Sequence, residues 1–293
     1  MTLYERILEL FPLVSYDENR AKNGHITLVE DRDCRTLAEG VTYRKSLYRR
    51  GDGKDVWVYL AEVAPDARAD IAVSACPLKT IKPVLAHAED FEGDALLAMN
   101  ASFFHFFNNG DKTPYSIQVV RGVTLAEPGR DKPQYSTFFF AVTQDGKPIL
   151  TDADSYYAHW KGKLRYAVGG GLMLIRDGRI CLHQIDDWHP RTAVGIAQDG
   201  TVILMCCDGR SEKSAGMSHA DMIELYLGLG YEIRDMLCLD GGGSTTVVLK
   251  EEDGSFAVAN EPSGPPSPDC PPDISGPLAN MRPVADAILI VGK

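Results

Sequence analysis

Short apolar runs separated by turn-forming residues make up most of the hydrophobic pattern of the chain. Asp-Gly dipeptides at 145–146, 177–178, 199–200 and 253–254 each lie between two such runs, an arrangement typical of tight β-hairpins. The pattern therefore predicts mainly antiparallel strands. The predicted strands are Val56–Val63, Ile71–Cys76, Ala95–Met99, Phe138–Thr143, Pro148–Leu150, Leu172–Ile175, Arg179–Leu182, Ala193–Ala197, Thr201–Cys206, Met236–Cys238, Val247–Leu249, Phe256–Val258 and Pro283–Val291.

Helical periodicity is found in fewer places. The predicted helices are Thr2–Glu9, Val84–Phe91 and Ala220–Leu229. The last has the strongest signals, because Ser218 is a good N-cap, Asp221 follows three residues later and Gly230 can end the helix. Together these elements predict the α+β class, a large and mainly antiparallel sheet covered by a few helices.

The bulk composition is that of an ordinary globular protein, with 293 residues, 44% hydrophobic and 24% charged. We expect a single domain over residues 1–293. The formal net charge of −11 argues against binding to nucleic acid or to an anionic membrane surface, both of which require a basic surface. The oligomeric state stays open.

No apolar run approaches the ~20 residues of a membrane span, and the first residues contain no basic leader followed by an apolar core. As written, the chain is expected in the cytoplasm, or outside the cell if a leader has been removed from it.

The seven cysteines are scattered and form no CxxC pair, which favours reduced core thiols over disulfides or a zinc site. The proline-rich stretch 262–277 is expected to form a long surface loop.

The most distinctive motif is Asp240 followed by three glycines, Ser244, Thr245 and Thr246, between the apolar runs Met236–Cys238 and Val247–Leu249. Three adjacent glycines suit a tight turn that brings bare N–H groups close to a ligand, and such groups form an anion-binding nest. A carboxylate beside such a turn suggests chemistry on an anionic substrate. The alternative is a glycine-rich hairpin turn with no ligand.

Four other short motifs stand out from the rest of the sequence. They are Met99–Phe104 (MNASFF), Ala167–Leu172 (AVGGGL), His189–Ile196 (HPRTAVGI) with Cys207–Arg210 (CDGR), and Met281–Ala287 (MRPVADA). In this order and spacing, the motifs resemble the phosphodiester glycosidase family, in which LDGGGST, PRTAxG and a strand-end Asn recur. The resemblance covers roughly residues 90 to 291, whereas residues 1–90 match only loosely.

The resemblance implies cleavage of a sugar C1–O bond whose oxygen belongs to a phosphodiester, with release of free sugar and a phosphomonoester. The family includes N-acetylglucosamine-1-phosphodiester α-N-acetylglucosaminidases and bacterial relatives linked to exopolysaccharide. Asp240 and Asp208 would then act at the sugar carbon, where they stabilise the cation, attack it or activate water. Arg191 would stabilise the charge on the departing phosphate. Asn100 and Thr192 would position hydroxyls or the attacking water.

The substrate phosphate would also contact a cradle around the glycine turn. Its members are expected to be Gly241, Gly242, Gly243, Ser244, Thr245, Arg282 and His189. Asp208 has a plainer interpretation as a turn residue, Arg282 as a structural arginine and His189 as the end of a loop. Asp240 and Asp208 could share a divalent cation, but no ligand spacing requires one, so the sequence assigns no cofactor.

Two other functions remain open at this point. An actin-like or exopolyphosphatase-type phosphotransferase also uses an Asp-x-Gly-Gly-Gly-Ser/Thr turn, but it needs an early Asp-x-Gly-x-Thr turn that the first 50 residues lack. A non-catalytic module that binds glycan phosphates would keep every motif. The chain contains neither a Gly-Lys-Ser/Thr P-loop nor a Gly-x-Ser-x-Gly elbow.

Overall fold

In a computed structural model of the chain, residues 26–105, 111–130, 133–181, 187–264 and 279–293 are described. These residues form three sheets, and every strand pairing recorded among them is antiparallel. The predicted helix Thr2–Glu9 and most of the proline-rich stretch lie outside the described residues.

The largest sheet has eight strands in the order β1-β2-β3-β14-β13-β15-β11-β12. Its strands are β1 (Ile26–Ala38), β2 (Val41–Arg50), β3 (Asp55–Val63), β11 (Met173–Arg176), β12 (Arg179–Ile180), β13 (Arg191–Ala197), β14 (Val202–Cys207) and β15 (Ile233–Cys238). The second sheet has five strands in the order β7-β6-β10-β8-β9. Its strands are β6 (Gln118–Val120), β7 (Val123–Ala126), β8 (Phe138–Thr143), β9 (Pro148–Asp152) and β10 (Leu164–Gly169).

The third sheet also has five strands, in the order β17-β16-β5-β18-β4. Its strands are β4 (Ala69–Ala75), β5 (Asp94–Asn100), β16 (Val247–Lys250), β17 (Phe256–Val258) and β18 (Asp286–Gly292). The main core lies where the three sheets meet. Val194 of the first sheet, Phe140 of the second and Ile288 of the third belong to one cluster of fully buried side chains.

Helices cover the outer faces of the sheets. They are α1 (Val84–Glu89), α2 (Pro133–Ser136), α3 (Ala153–Ser155, continued by a π-helical turn over Tyr156–Trp160) and α4 (His219–Gly228). Helix α4 begins with a complete capping box, in which Ser218 and Asp221 each accept a hydrogen bond from the other's backbone N–H. The predicted start of this helix is therefore confirmed, and Gly230 follows its end with a left-handed φ of +87°.

Helix α4 packs closely on the first sheet because Gly195 of β13 has no side chain. A Cβ at Gly195 would lie 2.4 Å from the ring of Tyr226. The Tyr226 hydroxyl donates to the carbonyl of Ile203 at 3.0 Å, in the neighbouring strand. The glycine of the PRTAVG motif is therefore required for helix packing.

The α+β class and the antiparallel pairing are confirmed, although the strands are divided among three sheets. The four Asp-Gly dipeptides predicted to form hairpins, at 145–146, 177–178, 199–200 and 253–254, all join paired strands. The sequence did not reveal the long hairpin of β1 and β2, because β1 is rich in charged residues and its side chains are mostly exposed or half-buried. None of the described helices is long and apolar enough to cross a membrane.

Candidate active site

The motif residues meet at one edge of the first and third sheets. Asp240 follows β15, and Arg191 begins the antiparallel neighbour β13 at the same edge. Asn100 ends β5 of the third sheet, while Asp286 begins the adjacent strand β18. Antiparallel pairing therefore brings together residues that are far apart in sequence.

Asp240 is the half-buried carboxyl at the centre of this edge. Its backbone N–H donates to the carbonyl of Ala101 at 2.9 Å. Burial raises the pKa of Asp240 to about 7, against the opposing effects of a Ser244 hydrogen bond, the positive charge of Arg282 and the Gly241 N–H. A carboxyl with this pKa exchanges protons near neutral pH, as an acid–base catalyst must.

The glycine turn itself offers fewer bare N–H groups than predicted. The Gly242 N–H donates to the carbonyl of Pro190 at 2.8 Å, and the Gly241 N–H interacts with the Asp240 carboxylate. These contacts engage the N–H groups of Gly241 and Gly242 within the protein, and the assignment of Gly241, Gly242 and Gly243 to a phosphate cradle stays a prediction. Gly242 does need its left-handed φ of +62°, and a Cβ at Gly241 would lie 2.7 Å from the Pro190 carbonyl oxygen.

Two guanidinium groups provide the positive charge that the turn lacks. Arg282 packs against Gly243, where a Cβ would lie 2.5 Å from its Nη2, and its Nη1 donates to the Ser244 hydroxyl at 3.3 Å. Arg210 packs against Gly242 in the same way, with its Nη2 3.0 Å from the position of a Cβ. Burial and the nearby charge of Arg210 lower the pKa of Arg282, although Asp240 opposes this. The two like charges on one turn would be stabilised by an anion.

Arg210 was not among the predicted site residues. It follows Asp208 and Gly209 directly after β14, has a left-handed φ of +62° and is exposed. Its presence in a motif at the end of a strand was the available signal. The sequence offered no means of telling that its guanidinium reaches Gly242, because that contact joins residues that are distant along the chain.

Ser244 and Thr245 close the turn and are almost completely buried, at 0% and 1% exposure. The Ser244 N–H donates to the Gly241 carbonyl, and the Thr245 N–H to the Gly242 carbonyl. The Ser244 hydroxyl lies between Arg282 and the Asp240 carboxylate. Ser244 is thus placed to orient both charged groups.

Asn100 and Thr192 lie beneath the turn and are fully buried. The Asn100 side-chain N–H donates to the main-chain carbonyl of Asp240 at 2.6 Å. Its side-chain oxygen accepts from the Thr192 hydroxyl and the Thr246 N–H, both at 3.1 Å. This arrangement favours positioning of the Asp240 turn over the predicted contact with substrate hydroxyls or water.

Asp208 is buried at 3% exposure and both of its carboxylate oxygens are occupied. They accept hydrogen bonds from the Tyr59 hydroxyl at 2.7 Å, the Asn260 side-chain N–H at 2.9 Å and the Glu261 N–H at 3.1 Å. Burial raises the pKa of Asp208, and these hydrogen bonds oppose the shift. Asn260 also donates to the Thr245 carbonyl at 3.1 Å. The geometry favours an anchoring role for Asp208 over the predicted catalytic one.

Arg191 and His189 border the turn on the Pro190 side. The Arg191 guanidinium donates to the carbonyls of Met217 at 3.0 Å and Asp187 at 2.6 Å, so much of its donor capacity is used within the protein. Partial burial and the charges of Arg191 and Arg210 lower the pKa of His189. The His189 Nδ1 lies 3.4 Å from the Arg210 Nη2.

Asp286 is another buried carboxyl, one that sequence reasoning did not select. It accepts from the Ser102 N–H and hydroxyl, both at 2.8 Å, and from the Gln118 side chain at 2.9 Å. Burial raises its pKa, and its proximity contributes to the raised pKa of Asp240. A lone carboxylate within the apolar run Pro283–Val291 was the signal that could have identified it.

Within the described part of the chain, no group of three or more His, Cys, Asp or Glu side chains is arranged to hold a metal ion. Asp240 and Asp208 instead have hydrogen-bond partners supplied by the protein.

The fold and the site define an α+β protein with a carboxyl and two arginines at one glycine turn. The family model described as phosphodiester glycosidase matches residues 93–291, and the chain belongs to this family. The resemblance seen in the sequence is thereby confirmed.

Solved structures resemble the protein over nearly its whole length. The catalytic domain of zebrafish N-acetylglucosamine-1-phosphodiester alpha-N-acetylglucosaminidase, auto-inhibited by its pro-peptide, is 18% identical with a TM-score of 0.63, covering 97% of this chain and 96% of that one. A putative exported protein of Burkholderia pseudomallei is 13% identical with a TM-score of 0.60, covering 96% of this chain and 99% of that one. At these identities the likeness establishes the fold.

One curated relative shares a shorter segment. The SPbeta prophage-derived uncharacterized protein YomE of Bacillus subtilis (strain 168) is 35% identical over 86 residues, which are 27% of this chain. The match spans only 13% of the length of YomE.

Proposed function

We propose that this protein hydrolyses the C1–O bond of a sugar-1-phosphodiester and releases the free sugar and a phosphomonoester. The observation that supports this most directly is the placement of Asp240, with a pKa of about 7, beside Arg282 and Arg210 on one glycine turn. The reaction needs a base near the sugar carbon and positive charge near the phosphate, and this turn provides both. Family membership supports the same reaction class.

Asp240 is proposed to act as the general base. In its ionised form it accepts a proton from a water molecule, whose oxygen attacks C1 of the sugar. The C1–O bond breaks, and its electron pair stays with the phosphate oxygen. The oxocarbenium-like transition state carries positive charge at C1, which a nearby carboxylate stabilises.

Arg282 and Arg210 are proposed to bind the phosphate and to stabilise the charge that develops on it. Guanidinium groups match phosphate oxygens with paired hydrogen bonds. A phosphate monoester leaves readily, so electrostatic stabilisation replaces much of the protonation that an alcohol leaving group requires. Ser244 contacts both Arg282 and Asp240, and so holds the proposed base and the phosphate-binding arginine in a fixed relative position.

The proposal is tested by measuring free sugar released from a panel of sugar-1-phosphodiesters that begins with N-acetylglucosamine-1-phospho-mannoside, with and without a chelator. We expect release of sugar and phosphomonoester in equal amounts, and a loss of about 10²- to 10⁴-fold in kcat for Asp240→Asn. Arg210→Ala should lower kcat/KM by about 10- to 100-fold with an unchanged melting temperature, because Arg210 is exposed.

A matched control is Arg68→Ala, which removes an exposed arginine paired with Glu39. This variant should keep the wild-type rate. Consumption of ATP or polyphosphate without sugar release would replace the proposal with a phosphotransferase. Binding of sugar phosphates without any turnover would replace it with a binding module.

A further inference from the structure

Asp286 is a fully buried carboxyl that the proposed reaction does not use. Three donors point at it: the Ser102 N–H and the Ser102 hydroxyl, both at 2.8 Å, and the Gln118 side-chain N–H at 2.9 Å. The Ser102 oxygen in turn accepts from the Gly169 N–H at 3.0 Å, so the hydroxyl proton is available for Asp286. A carboxyl that accepts three hydrogen bonds fits the ionised form.

One peptide group connects Asp286 with the candidate base. The peptide group between Ala101 and Ser102 donates its N–H to the Asp286 carboxylate at 2.8 Å. The carbonyl of the same group accepts from the Asp240 N–H at 2.9 Å. Hydrogen bonds in such a chain polarise one another. The chain therefore fixes the backbone of Asp240 relative to Asp286 and brings negative charge towards it.

Charged groups of both signs act on Asp240, in addition to its burial. Arg282, with Arg210 beyond it, favours the ionised carboxylate, whereas Asp286 favours the protonated carboxyl. The nearby Cys238 thiol stays neutral, because burial raises its pKa to about 11. Asp286 therefore opposes the arginines at the carboxyl that the proposed reaction uses.

The titratable groups on the other side of Asp286 do not change charge near neutral pH. Burial raises the pKa of the Cys76 thiol, which lies close to Asp286. Behind it, the Cys76 Sγ is 3.8 Å from the His87 Nε2, and burial lowers the pKa of His87 to about 4. Lys82, which also acts on both groups, is paired with Asp90 at 2.8 Å. The charge of Asp286 is therefore not offset by a change in these neighbours between pH 5 and 8.

We propose that Asp286 is a positioning residue, which holds the backbone of Asp240 through the Ala101–Ser102 peptide group and acts on the Asp240 carboxyl through its own negative charge. This inference rests on the proposed function, in which Asp240 is the base. A neutral amide at position 286 would satisfy most of the same donors, and it would cost less to bury than a carboxylate. The charge at this position is therefore explained by its effect on Asp240 and not by the stability of the fold.

Asp286→Asn separates the charge from the anchor. The side-chain oxygen of asparagine can still accept from the Ser102 N–H. Its N–H₂ group can donate to Gln118 once that side-chain amide turns over, because the Gln118 Oε1 has no hydrogen-bond partner among the described residues. The substitution thus removes the negative charge and keeps the link to the Ala101–Ser102 peptide group.

The first test compares the pH–rate profiles of the wild type and Asp286→Asn. We expect the apparent pKa of the rise in kcat to fall by about one pH unit, because a neighbouring negative charge no longer opposes ionisation of Asp240. The maximal rate should stay within a few-fold of the wild type. A purely structural role would lower the melting temperature and leave the midpoint of the profile unchanged.

Two further variants complete this test. Asp286→Ala removes the anchor as well as the charge, so it should also lower the maximal rate, by about tenfold. Asp235→Asn is the matched control, because Asp235 is a buried carboxyl at the start of β15 that accepts from the Asp177 N–H at 3.0 Å and from Arg234 at 2.8 Å. It should keep the wild-type midpoint. An unchanged midpoint in Asp286→Asn, or an equal fall in Asp235→Asn, would overturn the proposal.

The second test observes Asp240 directly and needs no turnover. The carboxyl carbon of Asp240 is followed by NMR in protein labelled with ¹³C-aspartate, and Asp240→Asn identifies its signal. We expect the midpoint of its titration in Asp286→Asn to lie about one pH unit below that of the wild type. If Asp286→Asn does not fold, the wild type still provides a test. Its Ser102 and Asp240 amide protons should shift together as Asp286 is protonated at low pH, and a shift of Ser102 alone would overturn the chain.

The two tests separate this inference from the proposed function. A lower Asp240 midpoint in Asp286→Asn, in a protein that cleaves no phosphodiester, would support the role of Asp286 and reject the reaction. Cleavage of phosphodiesters with an unchanged Asp240 midpoint in Asp286→Asn would support the reaction and reject the role of Asp286.

Discussion

The side-chain N–H of Asn100 donates to the main-chain carbonyl of Asp240 at 2.6 Å, across 140 residues of sequence. The same amide group accepts from Thr192 of β13 and from the backbone of Thr246. One buried side chain thus joins the third sheet to the first and holds the turn that carries the candidate base. Its contacts explain why a polar amide ends an otherwise apolar strand.

Removing this amide should destabilise the fold. Asn100→Ala leaves the Asp240 carbonyl, the Thr246 N–H and the Thr192 hydroxyl without a partner in a buried region, which should cost roughly 3 kcal/mol. Thr192→Val is the matched control, since it removes one of the three hydrogen bonds and should cost about 1 kcal/mol. Urea denaturation measures both values. A stable Asn100→Ala variant that has lost activity would instead assign Asn100 to the substrate.

Local sequence patterns were sufficient for much of the fold. The Asp-Gly hairpins and the capping box of Ser218 depend on residues close together in sequence, and both were predicted correctly. The division into three sheets was not predictable in this way. It depends on long-range pairings such as β5 with β18, whose strands are individually ordinary apolar runs.

Asp208 should prove more important for stability than for chemistry. Asp208→Asn puts an N–H₂ group where Tyr59, Asn260 or Glu261 now donates, so we expect a loss of roughly 2 kcal/mol in the free energy of unfolding. The rate at a temperature where the variant is folded should fall only a few-fold. Tyr59→Phe provides the second arm of a double-mutant cycle, with an expected coupling of about 1 kcal/mol. Complete inactivity with unchanged stability would restore the catalytic role.

The candidate site shows the same limit of sequence reasoning. The motif residues do lie together at one edge of the sheets. However, the side chains of Asp208 and Arg191 form hydrogen bonds with other groups of the protein. Arg210 was overlooked, although it packs on the turn. A motif identifies which residues assemble, whereas the direction of each side chain depends on partners that are distant in sequence.

The close contact at Gly241 predicts a position-specific effect of adding one methyl group. Gly241→Ala would place a Cβ 2.7 Å from the Pro190 carbonyl oxygen, which belongs to the backbone and cannot move aside easily. We expect a loss of about 1–3 kcal/mol in stability together with a large loss of activity. Gly228→Ala is the matched control, because nothing lies within 4 Å of a Cβ there and the residue ends a helix.

The Gly228→Ala variant should be as stable as the wild type or more stable by up to about 1 kcal/mol, because alanine favours the helix. Thermal melts and activity assays of the two variants provide the comparison. Equal behaviour of both variants would show that the contact between Gly241 and Pro190 does not constrain the turn.

The raised pKa of Asp240 predicts opposite effects of pH on stability and on activity. In the folded protein the pKa is about 7, against an ordinary value of 3.8, so between these values the folded state binds more protons than the unfolded state. The contribution of Asp240 to stability is therefore complete below about pH 4 and is lost as the pH rises through 7, by at most about 4 kcal/mol. Activity should rise over the same range, with an apparent pKa near 7, because the ionised carboxylate is the base.

Asp240→Asn removes this titration, so its stability should fall less than that of the wild type between pH 4 and 8, and it should be inactive throughout. Asp253→Asn is the control: Asp253 lies in an exposed turn and its pKa is lowered by hydrogen bonds from Ser255, so both profiles should match the wild type above pH 5. Denaturant titrations at several pH values and a pH–rate profile measure the two effects. If the wild type and Asp240→Asn lose stability in parallel, the carboxyl titrates normally and Asp240 is not tuned for proton transfer near neutral pH.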